Sequence, residues 1–129
     1  MKMLLLFLLA FGVLNAEDTP DFKTSGILLV QDGFIALKIE NSSPRDWVPT
    51  ATDRDKVFIS LSINGIKRAE YQVKSVDPTI FLGKSLIVFK TNFRAITPLR
   101  IRVALNEDKA LPESDFSNNI LEIDLKPAP

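Results

Sequence analysis

Seven oxygen-bearing side chains crowd one stretch of this 129-residue chain: Asn106, Glu107, Asp108, Glu113, Asp115, Asn118 and Asn119. Carboxylates and amide carbonyls are the hard donors that calcium accepts, and Asn106, Asp108, Glu113 and Asp115 are the candidates to supply them. Calcium needs about 6–8 oxygens converging at short range, and the spacing here is not that of an EF-hand loop. Two of the carboxylates could in principle work as acid and base on a glycosidic bond, but such pairs flank a substrate cleft, for which a domain this small has little room. The third chemistry is local: short polar side chains bond nearby backbone and hold a loop in shape. In that role Glu113, Asp115, Asn118 and Asn119 would set the register between the apolar runs on either side, and this is the expectation taken forward. No cofactor is expected.

The composition removes most other chemistry. The chain has no histidine, hence no imidazole base or ligand, and no cysteine, hence no thiolate nucleophile, no ordinary zinc site and no disulfide. Sixteen basic and sixteen acidic residues are interspersed, so there is no electrostatic footprint for nucleic acid. Hydrophobic residues make up 46% of the chain, enough for a packed core rather than a disordered segment. With no catalytic constellation left, the chain is not expected to be an enzyme.

Residues 1–16 have the order of a secretory signal: a basic start at Lys2, an apolar run from Leu4 to Val13, and Ala16 before the expected cut. An apolar run of about ten residues is short of the roughly 20 a spanning helix requires. Cleavage leaves residues 17–129 as one domain of net charge about −1, exported to a periplasm or cell surface and not spanning the membrane. An exported domain without disulfides must rely on its own core, which this length can supply and which suits a bacterial envelope.

The elements that must position the polar stretch are strands. Leu99 to Leu105 and Ile120 to Leu125 alternate apolar and polar residues on either side of it. Upstream, Ile27 to Val30, Phe34 to Glu40, Val57 to Ile63, Ile66 to Val73 and Leu86 to Phe89 give seven strand-like runs in all. Residues 17–23 read as a flexible lead-in. Asn64-Gly65 is a two-residue hairpin turn, because both residue types tolerate positive φ. Charges scattered through Ile66 to Val73 suit an exposed sheet edge. Leu86 to Phe89 is apolar on both faces, which fits a central strand or one whose outer face meets something else. Turns every 8–12 residues or so and no sustained helical period predict an all-β, antiparallel, two-sheet immunoglobulin-like sandwich.

Some side chains stand apart from this pattern. Trp47, with Arg45 in the same charged loop, has the composition of a binding hot spot, although a lone Trp also packs over the open end of a sandwich. Phe34, Phe58 and Ile120 fall opposite the buried rows of their strands, so a patch among them would mark a contact. Phe34, Phe58, Arg45 and Trp47 are therefore the candidate partner-binding residues. Arg100 and Arg102 form a small outward basic stripe, read as a solvated face. Asn41-Ser42-Ser43 matches a glycosylation acceptor and is read as the polar start of a loop.

Val103-Ala104-Leu105-Asn106, Leu111-Pro112-Glu113-Ser114-Asp115 and Asn118-Asn119 together resemble the cell-adhesion-related domain found in bacteria, CARDB. Ile35 to Asn41 is similar to that family's second strand, and Leu82-Gly83-Lys84-Ser85 to its glycine turn. The chain departs from the pattern at Asn106, where aspartate is usual, at Phe116, where an acidic residue is usual, and at Pro112. The resemblance implies an immunoglobulin-like or fibronectin-like sandwich outside the cytoplasm. The function expected is an exported binding or adhesion module of the bacterial envelope, its partner a protein or envelope polymer. The alternatives are an accessory subunit or spacer docking onto an envelope complex, or a small secreted inhibitor of papain-type proteases, for whose loop Asp77-Pro78-Thr79 is a poor echo.

Overall fold

The computed structural model describes residues 19–46, 55–113 and 115–127. The signal segment and Trp47 lie outside the described residues. Seven strands form two antiparallel sheets: β1 (Phe22–Leu29), β2 (Phe34–Asn41), β3 (Phe58–Ile63), β4 (Ile66–Gln72), β5 (Ser85–Arg94), β6 (Leu99–Leu105) and β7 (Ile120–Leu125). One sheet has the order β1-β2-β5, the other β4-β3-β6-β7. A single helical turn, α1 (Val73–Val76), and a 3-10 turn (Pro78–Phe81) lie between β4 and β5. Among the described residues no helix is long and apolar enough to cross a membrane.

The alternation puts Ile35, Leu37 and Ile39 of one sheet against Ile59, Leu61, Ile101, Val103 and Leu105 of the other, all fully buried. Phe22, Val57, Val73, Ile80, Phe81 and Leu111 belong to the same core, and the Phe22 and Phe81 rings meet edge to face with centroids 6.0 Å apart. Burial at about 25 cal/mol per Å² of apolar surface is the main force holding the sheets together in a chain without cross-links.

Turn chemistry follows the sequence at Asn64-Gly65, where φ is 52° and 82°. Asn64 does more than turn the chain, because its Oδ1 accepts from Arg100 N at 2.9 Å and its N–H donates to Arg100 O at 2.8 Å. The β3–β4 hairpin is thereby tied to β6.

Two elements differ from the expectation. β1 begins at Phe22, several residues before the apolar run at Ile27, because Phe22 and Thr24 are buried; a bulge between Thr24 and Gly26 hides the alternation. The supposed lead-in is therefore partly strand. β5 spans Ser85–Arg94 and lies at the edge of its sheet, with β2 in the middle. Of the two roles open to Leu86–Phe89, the central one is excluded: Leu86 and Val88 are 51% and 53% exposed on the outer face.

Candidate functional site

The polar stretch between β6 and β7 builds a clasp around one carboxylate. Asn106 closes β6 with φ +52°, a left-handed turn that asparagine tolerates. From there its side-chain Nδ2 reaches the Glu113 carboxylate at 2.7 Å and Leu111 O at 2.9 Å, while its Oδ1 accepts from Leu111 N at 3.3 Å. Asn119, at the start of β7, donates from Nδ2 to Leu105 O at 2.9 Å and to the same Glu113 oxygen. The other Glu113 oxygen accepts the Phe22 N–H of β1 at 2.7 Å. Both ends of the loop, Asn106 and Asn119, and the distant strand β1 thus converge on Glu113.

Neighbouring bonds extend the clasp across the two sheets. Thr24 Oγ1 donates to Asn119 O at 2.8 Å and Thr24 N to Asn118 O at 3.1 Å, which fastens β1 to the loop before β7. In the amide orientation that satisfies its surroundings, Asn118 donates to Phe22 O at 2.9 Å and to Asp115 O at 3.3 Å. Such buried polar networks stabilise a fold only when every member is satisfied, because an unpaired buried group costs about 1–3 kcal/mol.

Electrostatics single out Glu113. Burial pushes its carboxyl up to about 7, helped by the nearby Asp21 charge; the bonds from Asn106, Asn119 and Phe22 N–H act in the opposite direction and hold the shift in check. Asp115 shows the contrary case: exposed, its Oδ1 accepts from Ser117 N at 2.8 Å and Ser117 Oγ at 2.6 Å, and these bonds lower its pKa.

The four calcium candidates are therefore placed differently. Asn106 and Glu113 meet, but through the amide nitrogen of Asn106, a donor that faces carboxylate oxygen rather than cation. Asp108 is exposed, with its Oδ1 accepting from Ala110 N at 3.4 Å, and Asp115 is turned to Ser117. Among the described residues no three Asp, Glu, His or Cys side chains form a group able to hold a metal ion.

The partner-binding candidates do not share one surface. Phe34 is half-buried on the outer face of β2, with Lys90 Nζ and Arg94 Cζ each 4.5 Å from its ring centroid. Phe58 lies on the outer face of the other sheet, beside a hollow of about 280 Å³ lined also by Ser60, Lys67, Glu70, Glu107 and Asp108. Ile120 is on that same outer face, 45% exposed, on the row of Ser60 and Ala104. Arg45 is exposed at the turn after β2, where its N–H and carbonyl both bond to the Ser43 hydroxyl. The outward arginines are engaged: Arg100 pairs with Glu122 and Asp124 at 3.0 and 3.1 Å, and Arg102 with Glu107.

A second buried amide was not apparent from the sequence. Asn41, fully buried at the end of β2, accepts on Oδ1 from Asp21 N at 3.1 Å and Ser43 N at 3.2 Å, and donates from Nδ2 to Ile80 O and Leu82 O at 3.0 and 3.2 Å. An amide so enclosed is no glycosylation acceptor in the folded domain. Its signal in the sequence was slight: one Asn ending an alternating run.

No family model matches the chain, and no curated protein matches it either. Solved structures do. A solution NMR structure of the CARDB domain of PF1109 from Pyrococcus furiosus aligns over 84% of this chain and 91% of that one, with 13% identity and a TM-score of 0.44. The crystal structure of the same CARDB domain, in complex with di-metal ions, aligns over 84% of this chain and 94% of that one, with 13% identity and a TM-score of 0.54. The chain thus has the fold of a CARDB domain.

Proposed function

We propose that this chain is an exported, non-catalytic β-sandwich module of a bacterial cell envelope that binds another macromolecule. The observation that carries the reading is the pair Leu86 and Val88, half-exposed side by side on the outer face of an edge strand. Apolar rows in such a position are costly to leave in water and mark contact surfaces. The signal-like order of residues 1–16 supports export, and the CARDB-like fold is consistent with a binding domain without naming its partner.

The accessory-subunit reading gains one specific support: the exposed apolar residues of β5 lie on a sheet face, as a stable docked complex would need, rather than at a loop tip. Protease inhibition gains none, since Asp77-Pro78-Thr79 enters a 3-10 turn in which Asp77 Oδ1 binds Thr79 N at 3.0 Å and Thr79 Oγ1 at 2.7 Å. The PF1109 domain was solved in complex with di-metal ions, whereas the Glu113 carboxylate of this chain is met by three N–H donors.

The test is to express the full chain with a C-terminal tag in its own cells, fractionate them, and read the N-terminus by mass spectrometry. Recovery in the envelope or medium with Glu17 first, cross-linked to a partner at constant stoichiometry, is the expected result. A chain that keeps Met1 and stays in the cytoplasm, or one that cross-links to nothing, refutes it.

A further inference from the structure

The outer face of the three-stranded sheet carries charge that the described residues do not neutralise. Lys23 on β1, Lys38 on β2, and Lys90 and Arg94 on β5 point outward there, against the single carboxylate of Glu40. Among the described residues none of these four cations lies within ion-pair distance of a carboxylate. The opposite face behaves otherwise, with Lys67, Arg100 and Arg102 all paired. In a chain of zero formal charge, the excess on one face is a directional signal.

Among the described residues, no further strand pairs with the β5 edge of that charged face. β5 pairs with β2 on one side only, in unbroken register from Ser85 to Lys90 before the irregularity that precedes Arg94. Natural edges are usually guarded by proline, by bulges or by a lysine held over the strand. The regular part of β5 has no proline, and the outward Lys90 leans across the outer face to the Phe34 ring on β2 rather than over the edge. Beside it the outward row is Leu86 and Val88.

We propose that the β5 edge takes up an extended segment of another polypeptide as an added antiparallel strand, with apolar side chains against Leu86 and Val88 and a carboxylate against Lys90. The backbone of the guest supplies affinity through main-chain hydrogen bonds, and the alternate side chains supply selectivity. A carboxylate guest residue fits because cross-strand opposite charges attract and like charges repel, and the sheet already holds an uncompensated positive excess. The inference rests on the binding-module reading above and names the chemistry of its partner.

The experiment uses isotope-labelled protein as recovered from expressing cells and a capped heptapeptide, Thr-Glu-Thr-Val-Thr-Val-Thr, whose outward row matches Lys90, Val88 and Leu86 in antiparallel order. Amide shifts and hydrogen-exchange protection should change along residues 85–90, and the control peptide with lysine for glutamate should bind at least fivefold more weakly. K90E, in which Arg94 still covers the Phe34 ring, should invert that preference, and V88K should abolish binding; thermal melts confirm that both variants fold. Perturbation confined to another surface, equal affinity for the two peptides, or indifference to V88K overturns the proposal. So does protection of the edge by self-association without peptide, which would make a second copy the occupant. If V88K still cross-links to the cellular partner, this inference fails while the binding-module reading stands.

Discussion

Replacing Glu113 with glutamine should flatten the dependence of stability on pH between about pH 5 and pH 8. The unfolded carboxyl titrates near its ordinary value and the folded one at about 7, so in this window the folded state binds the proton more tightly. Stability from this group is therefore fully present below the unfolded pKa, declines as pH rises, and is gone above about 7. A shift of that size is worth about 3 kcal/mol at face value. The carboxyl is not fully enclosed, and solvent screening reduces the effect to about 1–2 kcal/mol. For a domain of this length that is roughly 4–10 °C in melting temperature. The assay is thermal unfolding at closely spaced pH values, for the natural chain and for Glu113→Gln in parallel. The chain has no histidine to add its own titration in this window. Glu107, Asp77 and Asp115, whose pKa values are lowered, matter only in more acidic solution, where protonation removes their stabilisation. A natural chain whose melting temperature is flat or rises from pH 5 to pH 8, or two parallel curves, would refute the assignment of Glu113 as a buried, destabilised anion.

The remaining predictions bear on the clasp and on the loops. Asn119→Ala should cost about 1–3 kcal/mol in urea unfolding, because Leu105 O and the Glu113 carboxylate both lose a donor; an unchanged midpoint would contradict the bonding described. Gly83→Ala should cost a similar amount, about 1–3 kcal/mol, since a Cβ there would lie 2.7 Å from the Arg45 carbonyl carbon and push one backbone from another. It should also disturb the bonds from Gly83 N to Asp46 Oδ1 and from Lys84 N to Ser43 O, visible as amide exchange at residues 83 and 84. Adding calcium at about millimolar concentration should leave the melting temperature within a degree, whereas a rise of many degrees would reveal binding to the folded state by mass action.

How far the fold could be read in advance varied with the signal each strand left. β3 shows alternation from Phe58 to Ile63 and the Asn64-Gly65 turn, both local, and was legible. β1 was half legible: its bulge breaks the period, and the partners that hold Phe22, the Phe81 ring and the Glu113 carboxylate 91 positions away, are distant in sequence. β5 was legible as a strand but not as an edge, since apolar residues on both faces mean the same thing locally whether a neighbour covers them or water does. Within the candidate site, Glu113, Asn118 and Asn119 stood out by residue type. Nothing in the chain announced that Asn106 would join them through its amide nitrogen, or that Asn41 would build a second clasp.

The sequence by itself therefore determined the all-β class, the number of strands and the polar loop before β7. Each of these depends on periods and turn residues within a few positions of one another. Tertiary structure alone decided which strands became edges, that Glu113 would be buried between its own loop and β1, and that among the described residues Lys23, Lys38, Lys90 and Arg94 would be left without ion pairs while Lys67, Arg100 and Arg102 were paired. These depend on which distant residues are brought within a few ångströms, and burial and charge pairing exist only once the sheets have closed.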